Sequence, residues 1–282
     1  MDSANTDIDY RRLKQAGRGG WGGAQYARRL AGWIATLDRL QHESLIPAPP
    51  ARLLELGCGN GMVAIEAARR GYQVGGVDLS GEAVAWTRER IAAANLAGTF
   101  LQGDVCAMPF FDAGAFDLAV DGNCLHCLFG DDRARALNET YRVLRPGGTL
   151  VVSTMCGEPK PEAMRERFDR ARGILFENGS PHRTLKSAEA IEAEVARAGF
   201  RVVDRTISVN PWWDHLGLDR LGRPMTGRAR VRIIALEGLN ASASGRCRAH
   251  ACGFDNSGFR ANPIHHQSLA ARTGRVGKRT YA

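Results

Sequence analysis

The sequence predicts an α/β protein, a mostly parallel sheet with helices packed on both faces. Two observations carry that reading. From Arg52 onward, short apolar runs alternate with longer stretches of helical period, joined by brief connections. A glycine-rich turn, Gly57-Cys-Gly-Asn-Gly61, separates the first apolar run from the first helical one.

Residues 1–46 are read as a helical cap, polar at first and then helical where Tyr26, Leu30, Trp33, Ile34 and Leu37 recur at helical spacing. Pro47, Pro49 and Pro50 end that helix and open the main domain, residues 47–240. There Leu53–Leu56 is the first strand and Met62–Arg70 its helix, stopped by Gly71. Gln73–Val77 is the second strand and Glu82–Asn95 the second helix. Phe100–Gln102 and Phe116–Val120 follow as strands, then a helix Asp131–Leu144 that ends at Arg145-Pro-Gly-Gly148. Leu150–Thr154 is the fifth strand. Residues 157–186 interrupt the alternation as a lid insertion, in which Glu162–Leu175 is expected to be helical and Glu177-Asn-Gly-Ser-Pro181 a polar turn. Ser187 suits the N-cap of a helix Glu189–Ala198. Phe200–Val209 and Arg230–Leu236 close the sheet, separated by a long connection bearing Trp212 and Trp213. Residues 241–282 run to Ser, Ala, Gly and Arg with few aliphatics and are read as a disordered basic tail.

Composition narrows the class. The 282 residues are 44% hydrophobic and 24% charged, as expected of a globular domain, and no apolar run nears the roughly 20 residues of a membrane span. The first 20 residues lack the apolar stretch of a signal peptide, so a cytoplasmic location is expected. The net charge of +8 sits mostly in residues 241–282, which hold seven Lys or Arg and one acid. The body is nearly neutral, which argues against a phosphate-gripping face and leaves nucleic-acid binding through the tail as a reading from another class. Seven cysteines, an odd count, point to reduced thiols rather than a disulfide framework. Cys58, Cys106 and Cys156 fall beside strand ends, where a small buried residue suffices.

The glycine turn carries the chemistry. A tight turn between strand and helix brings backbone close to a nucleotide-like ligand and points the helix N-terminus at it. A dinucleotide fingerprint reads G-x-G-x-x-G, and here Met62 stands where its last glycine belongs. Glu55 opens the motif, an acid that welcomes an ammonium-bearing ligand and repels a pyrophosphate. Asp78, at the end of the second apolar run, is placed to accept both hydroxyls of a ribose. Asp104, past the third strand, is placed to meet an exocyclic adenine amine. These acids fall in order at the carboxyl ends of successive strands, where open α/β sheets bind ligands.

Glu55–Gly61, Gly76-Val-Asp-Leu-Ser80, Gly103-Asp-Val105, Phe116-Asp-Leu-Ala-Val120 and Tyr141-Arg-Val-Leu-Arg-Pro-Gly-Gly148 resemble, in order, the motifs of class I S-adenosylmethionine-dependent methyltransferases of the small-molecule type. The resemblance spans about Arg52 to Leu236. It implies a Rossmann-like three-layer sandwich, with the last two strands forming an antiparallel edge of a seven-stranded sheet. It also implies S-adenosyl-L-methionine as cofactor: Glu55, Gly57, Cys58 and Gly59 at its methionine end, Asp78 and Leu79 at the ribose, Asp104 and Val105 at the adenine. The long stretch before the final strand and the tail depart from the family pattern.

Methyl transfer from a sulfonium is an in-line displacement, so alignment and exclusion of water come first and a general base matters only for a protonated nucleophile. Asp121-Gly-Asn-Cys-Leu-His-Cys127, after the fourth strand, is the segment to search. His126 is the candidate base because imidazole titrates near neutral pH. Asp121 and Asn123 are candidates for the cofactor's amino-acid end. Cys124 and Cys127 flank His126. A zinc site would need two more ligands, from Cys247, His250 or Cys252, and no metal is expected. Asn123-Cys124 is similar to a pair in arsenite methyltransferases, so metalloid methylation through thiols is one alternative and NAD-dependent oxidation another. Trp21, Tyr26, His126 and His182 are candidates to enclose a small-molecule acceptor, with Phe168, Phe176 and Arg183 in the same roof. The acceptor itself and the oligomeric state leave no motif.

Overall fold

The computed structural model describes residues 3–209, 214–219 and 230–233, with side chains from 6 to 207. In chain order the elements are helices α1 (Ser3–Gln15) and α2 (Tyr26–His42), then β1 (Arg52–Leu56), α3 (Met62–Arg69), β2 (Gln73–Asp78), α4 (Gly81–Ala93) and β3 (Gly98–Gln102). After these come β4 (Phe116–Gly122), α5 (Asp131–Val143) and β5 (Leu144–Cys156). The chain continues with α6 (Glu162–Arg165), β6 (Phe168–Asp169), β7 (Ile174–Glu177), β8 (Ser180–Thr184), α7 (Ala188–Arg197), β9 (Arg201–Val209), β10 (Asp214–Asp219) and β11 (Arg230–Ile233).

Five parallel strands, in the order β3-β2-β1-β4-β5, form the centre of the sheet. Side chains alternate across a strand, and the core divides accordingly. Leu54, Leu56, Ala119 and Val152 pack one face against Ala136, Leu137, Ile191 and Val195 of α5 and α7. Leu53, Leu118, Val120 and Val151 pack the other against α3 and the apolar stripe of α2, Trp33, Leu37 and Leu40. Each of those α2 side chains is almost wholly buried, worth about 1.5–3 kcal/mol apiece. The cap helix is thus part of the core.

The sheet departs from expectation at its far edge. Among the described residues it holds eight strands, where seven are expected. Asp214–Asp219, inside the expected long connection, is itself a strand, antiparallel to both β9 and β5. The final strand runs parallel to β5 and β9, not antiparallel. β10 and β11 share one slot between β5 and β9 and meet at Leu218 and Ile233. The fifth strand also begins earlier than expected, at Leu144, taking in Arg145-Pro-Gly-Gly148.

The lid insertion differs as well. Its helix stops at Arg165, and β6, β7 and β8 form a small antiparallel sheet. Asn178 and Gly179, both at positive φ (49° and 76°), make a two-residue hairpin between Glu177 and Ser180. Met164, Leu175 and Leu185 are buried together with Phe168 and Met155 against them. The basic tail, Trp212, Trp213, Cys247, His250 and Cys252 lie outside the described residues. Among the described residues, no helix is long and apolar enough to cross a membrane.

Candidate active site

The glycine turn sits at the carboxyl end of β1. Gly57 and Gly59 hold φ of +59° and +56°, which side-chain-bearing residues rarely adopt. Space forbids a side chain too: a Cβ on Gly57 would come 2.9 Å from the Cys124 sulfur, and one on Gly59 would come 2.7 Å from the Tyr10 hydroxyl. The turn is therefore packed between Cys124 on one side and Tyr10 on the other.

Asp78 joins the turn to the next strand. Its Oδ2 accepts the Gly59 N–H at 2.8 Å and its Oδ1 the Ser80 N–H at 2.9 Å. Burial nevertheless raises its pKa, against the pull of those two N–H groups. Each oxygen keeps a second lone pair for a hydroxyl donor. Glu55 is placed differently from the reading that aims it at the cofactor. Its carboxylate lies under the first turn of α3, accepting from Val63 N (3.2 Å) and Ala64 N (2.8 Å). It is 3% exposed, and burial pushes its pKa up to about 8. The N–H groups of Val63 and Ala64 at the helix N-terminus oppose that rise without cancelling it. Asp104 is exposed and accepts the Cys106 N–H of its own turn, while Val105 is buried beside it. Leu79 is half-buried.

The segment after β4 lies directly across the turn. Asp121 Oδ1 accepts from Cys124 N (2.5 Å) and Leu125 N (3.1 Å), which bends the chain into a 3₁₀ turn, Leu125–Cys127. Its other oxygen is buried with no hydrogen-bond partner in the structure, and burial pushes the pKa to about 7. Asn123 takes a φ of +90°, a conformation an asparagine tolerates better than most residues. His126 is 3% exposed, with Nδ1 3.5 Å from Thr154 Oγ1 of β5. Burial raises the pKa of both Cys124 and Cys127. Among the described residues no three His, Cys, Asp or Glu side chains gather as a metal-binding group.

Outer supports hold this turn in place. Arg133, 2% exposed, donates from Nη1 to the Leu125 carbonyl (2.6 Å) and from Nη2 to Glu194 of α7 (2.6 Å). Thr184 of β8 donates to the Leu128 carbonyl at 2.7 Å.

The roof is α1 and the glycine-rich stretch behind it, and here the sequence reading missed residues. Asp7 Oδ1 accepts from Ser80 Oγ (2.5 Å) and Glu82 N (3.3 Å), tying α1 across the β2–α4 loop. Tyr10, 6% exposed, lies over Gly59. Its ring meets Trp21 at 5.4 Å and Trp86 at 6.5 Å. Asn60 of the turn donates to the Gly19 carbonyl. Of the expected roof residues, Trp21 thus reaches the cleft through Tyr10. Tyr26 is joined to it through Arg90, whose guanidinium stands 5.2 Å over the ring while its Nη1 donates to the Asn60 carbonyl. His182 belongs to the lid hairpin, where its Nδ1 is 3.1 Å from Glu177; burial, Arg183 and Arg167 push its pKa down to about 4. The only sequence trace of Tyr10 is its place four residues before Lys14 in an otherwise polar stretch, too weak to single out.

Comparison with known proteins agrees with this arrangement. A methyltransferase-domain family model matches residues 54–152, from β1 into β5. The demethylmenaquinone methyltransferase of Thermus thermophilus is 35% identical over 173 residues, 54% of this chain and 76% of that protein. The malonyl-[acyl-carrier protein] O-methyltransferase of Salmonella typhimurium is 32% identical over 164 residues, 58% of this chain and 59% of that protein. In fold, the chain is similar to an S-adenosylmethionine-dependent methyltransferase from Methanosarcina mazei, with a TM-score of 0.52 and 18% identity, covering 64% of this chain and 97% of that one. The glycine turn, the acid ending β2 and the five-stranded parallel centre all fall inside or beside the matched stretch. The chain belongs to the class I S-adenosylmethionine-dependent methyltransferases.

Proposed function

We propose that the chain methylates a small-molecule acceptor at an O, N, S or C atom, in the cleft bounded by the glycine turn, Asp78, the 125–127 turn and the α1 roof. One observation carries this reading. Two regions far apart in sequence, Gly57–Gly59 and Cys124, are pressed together at the carboxyl ends of β1 and β4, with the buried Asp121 oxygen left unpartnered beside them. The residues fit S-adenosylmethionine. Gly57 and Gly59 offer backbone with no side chain of their own, Asp78 retains acceptors for ribose hydroxyls, and the buried carboxylate of Asp121 suits the ammonium of an amino-acid arm. Leu79 and Val105 offer apolar walls to the adenine, with Asp104 at its edge. Asn123, at the strained corner, is assigned to the same methionine end as Asp121, Gly57 and Cys58.

The bound cofactor supplies an activated methyl group. The chain's part is to hold an acceptor in line and keep water out. Trp21, Tyr26 and Tyr10 form an aromatic roof that does the second. His126, held toward β5 by Thr154, is assigned the proton of a protonated acceptor. His182 lies on the lid sheet joined to the His126 turn through Thr184, and is assigned to the acceptor side. Glu55 acts through α3, positioning the turn rather than touching the ligand. The relatives named above, by name a demethylmenaquinone methyltransferase and a malonyl-[acyl-carrier protein] O-methyltransferase, support a small acceptor group.

Isothermal titration tests the reading. S-adenosylhomocysteine is expected to bind with one site per chain and NAD not at all. Binding of NAD with no binding of S-adenosylhomocysteine would overturn it in favour of an oxidoreductase. Removing residues 241–282 is expected to leave that binding unchanged.

A further inference from the structure

The lid insertion leaves and re-enters the main domain at one point. Gly157 N donates to the Lys186 carbonyl at 2.8 Å, and Cys156 at the end of β5 pairs with Lys186 in a parallel bridge. From that root two lines of contact run to the turn after β4. The first is direct: Thr184 of β8, 3% exposed, donates to the Leu128 carbonyl at 2.7 Å. The second has three links. Lys186 Nζ donates to Glu194 Oε1 of α7. Glu194 Oε2 accepts from Arg133 Nε at 3.0 Å and from Arg133 Nη2 at 2.6 Å. Arg133 Nη1 then donates to the Leu125 carbonyl at 2.6 Å.

The two lines end on either side of His126. Asp121 holds the Leu125 N–H, Arg133 the Leu125 carbonyl and Thr184 the Leu128 carbonyl. Backbone groups flanking the imidazole are thus fixed by side chains from β4, α5 and β8. Packing alone does not call for the middle link. Joining α5 to α7 needs no charge, since well-packed apolar side chains of similar volume often hold as well as a buried ion pair. The pair does what an apolar contact cannot: a planar guanidinium with donors on several sides grips a carboxylate and a backbone carbonyl at once. Burial raises the Glu194 pKa, but the hydrogen bonds and charge of Arg133, with Lys186 behind them, outweigh it and leave the value below that of an ordinary glutamate. Glu194 is therefore ionised at neutral pH, set between two cations.

We propose that Glu194 is a positioning residue for methyl transfer, fastening the His126 turn to the lid root through Arg133 on one side and Lys186 on the other. It acts through these partners and touches neither cofactor nor acceptor. The inference rests on the methyltransferase reading, in which His126 takes the acceptor proton and the lid bears the acceptor side.

The test uses the full chain with isotopically labelled histidine rings, observed by NMR both free and saturated with S-adenosylhomocysteine. The His126 signal is identified by its loss in His126→Gln. Glu194→Gln is expected to displace that signal and to speed amide exchange at residues 124–128 about tenfold, the weight of one charged hydrogen bond. S-adenosylhomocysteine affinity is expected to stay within about threefold. Lys186→Met, at a side chain 32% exposed, is expected to move the signal the same way and to speed that exchange about threefold, with Tm held within about 3 °C. Lys186→Arg should restore the wild-type signal, and the lysine variants serve where Glu194→Gln does not fold. If Tm falls in Glu194→Gln while the His126 signal and the exchange at 124–128 stay as in wild type, the pair is only a brace between α5 and α7 and the positioning role is overturned. An unmoved signal in Lys186→Met overturns the link to the lid root. Failure of the wild-type chain to bind S-adenosylhomocysteine would instead overturn the methyltransferase reading, and the signals of the free chain keep the two failures apart.

Discussion

The two halves of the cleft are built by different means. The proposed cofactor half comes mostly from one stretch, β1 to Val105, joined by Asp121 and Asn123 after β4, and most of its shape is backbone: a turn of positive-φ glycines, strand ends held in parallel register, and an aspartate bonded to two main-chain N–H groups. The acceptor half is gathered from α1, α2, the turn after β4 and the lid sheet, which lie up to about 170 residues apart in the chain. What joins them is side chains, chiefly Arg133, Thr184, Tyr10 and Asp7. A backbone-built half keeps its shape under most substitutions. A half assembled from side chains can change its acceptor with a few substitutions, yet depends on each buried support.

That contrast can be broken or sharpened by four measurements. The largest effect is expected at the buried support: Arg133→Met leaves the Leu125 carbonyl and part of Glu194 unpaired. A loss of about 3 kcal/mol is expected, at the lower end for a broken buried pair because Lys186 still reaches Glu194. In a domain of this size it should read as a fall of roughly 6–12 °C in Tm by calorimetry. An unchanged Tm would show that the acceptor half stands without its side-chain supports.

Next comes His126→Gln, expected to lower kcat on a protonated acceptor about 100-fold while S-adenosylhomocysteine affinity stays within about threefold. Steady-state kinetics beside titration calorimetry separate the two, and a parallel loss of affinity would move His126 into the cofactor half. Asp78→Ala should do the reverse. It leaves the N–H groups of Gly59 and Ser80 without their acceptor and removes the ribose contact, so affinity should fall by about 2 kcal/mol, roughly 30-fold. Equal affinity would remove the ribose assignment.

The last measurement reads pH dependence. The folded state holds the Glu55 proton up to about pH 8 and the Asp121 proton up to about pH 7, well above their ordinary values of 4.5 and 3.8. Between those ordinary values and the raised ones, the folded chain binds more protons than the unfolded chain. Stability is therefore greatest on the acid side and declines as pH rises through about 5 to 8, by at most about 1.4 kcal/mol per pH unit per group. Denaturant titrations at pH 5.5 and 8 measure the slope. Glu55→Gln should flatten it, and a slope of opposite sign would show that Glu55 stays ionised beneath α3.

The parallel centre and the glycine turn were legible because their signals are local. Glu55–Gly61 and Gly76–Ser80 each mark a strand end together with the turn that leaves it, and five such pieces in order leave little freedom of fold. Ser187, read as an N-cap, accepts from Ala190 N as that reading requires. The lid shows how a local signal can be present and outweighed. The turn at Glu177–Pro181 is legible, with Asn178-Gly179 at its centre, but the helical reading of Glu162–Leu175 hides the strands that flank it. The eighth strand has weaker traces still, since Asp214–Asp219 finds its place only through partners in β9 and β5.

By itself, then, the amino-acid order determined the sandwich, the position of the cofactor turn and the acids beside it, because hydrogen bonding and side-chain alternation within a few residues dictate them. Only the tertiary structure decided that Glu55 supports α3, that Tyr10 and Asp7 cover the glycine turn, and that Arg133 and Thr184 hold the turn after β4. Those facts arise where segments without a common motif are pressed together by burial. No spacing along the chain records which side chains then meet.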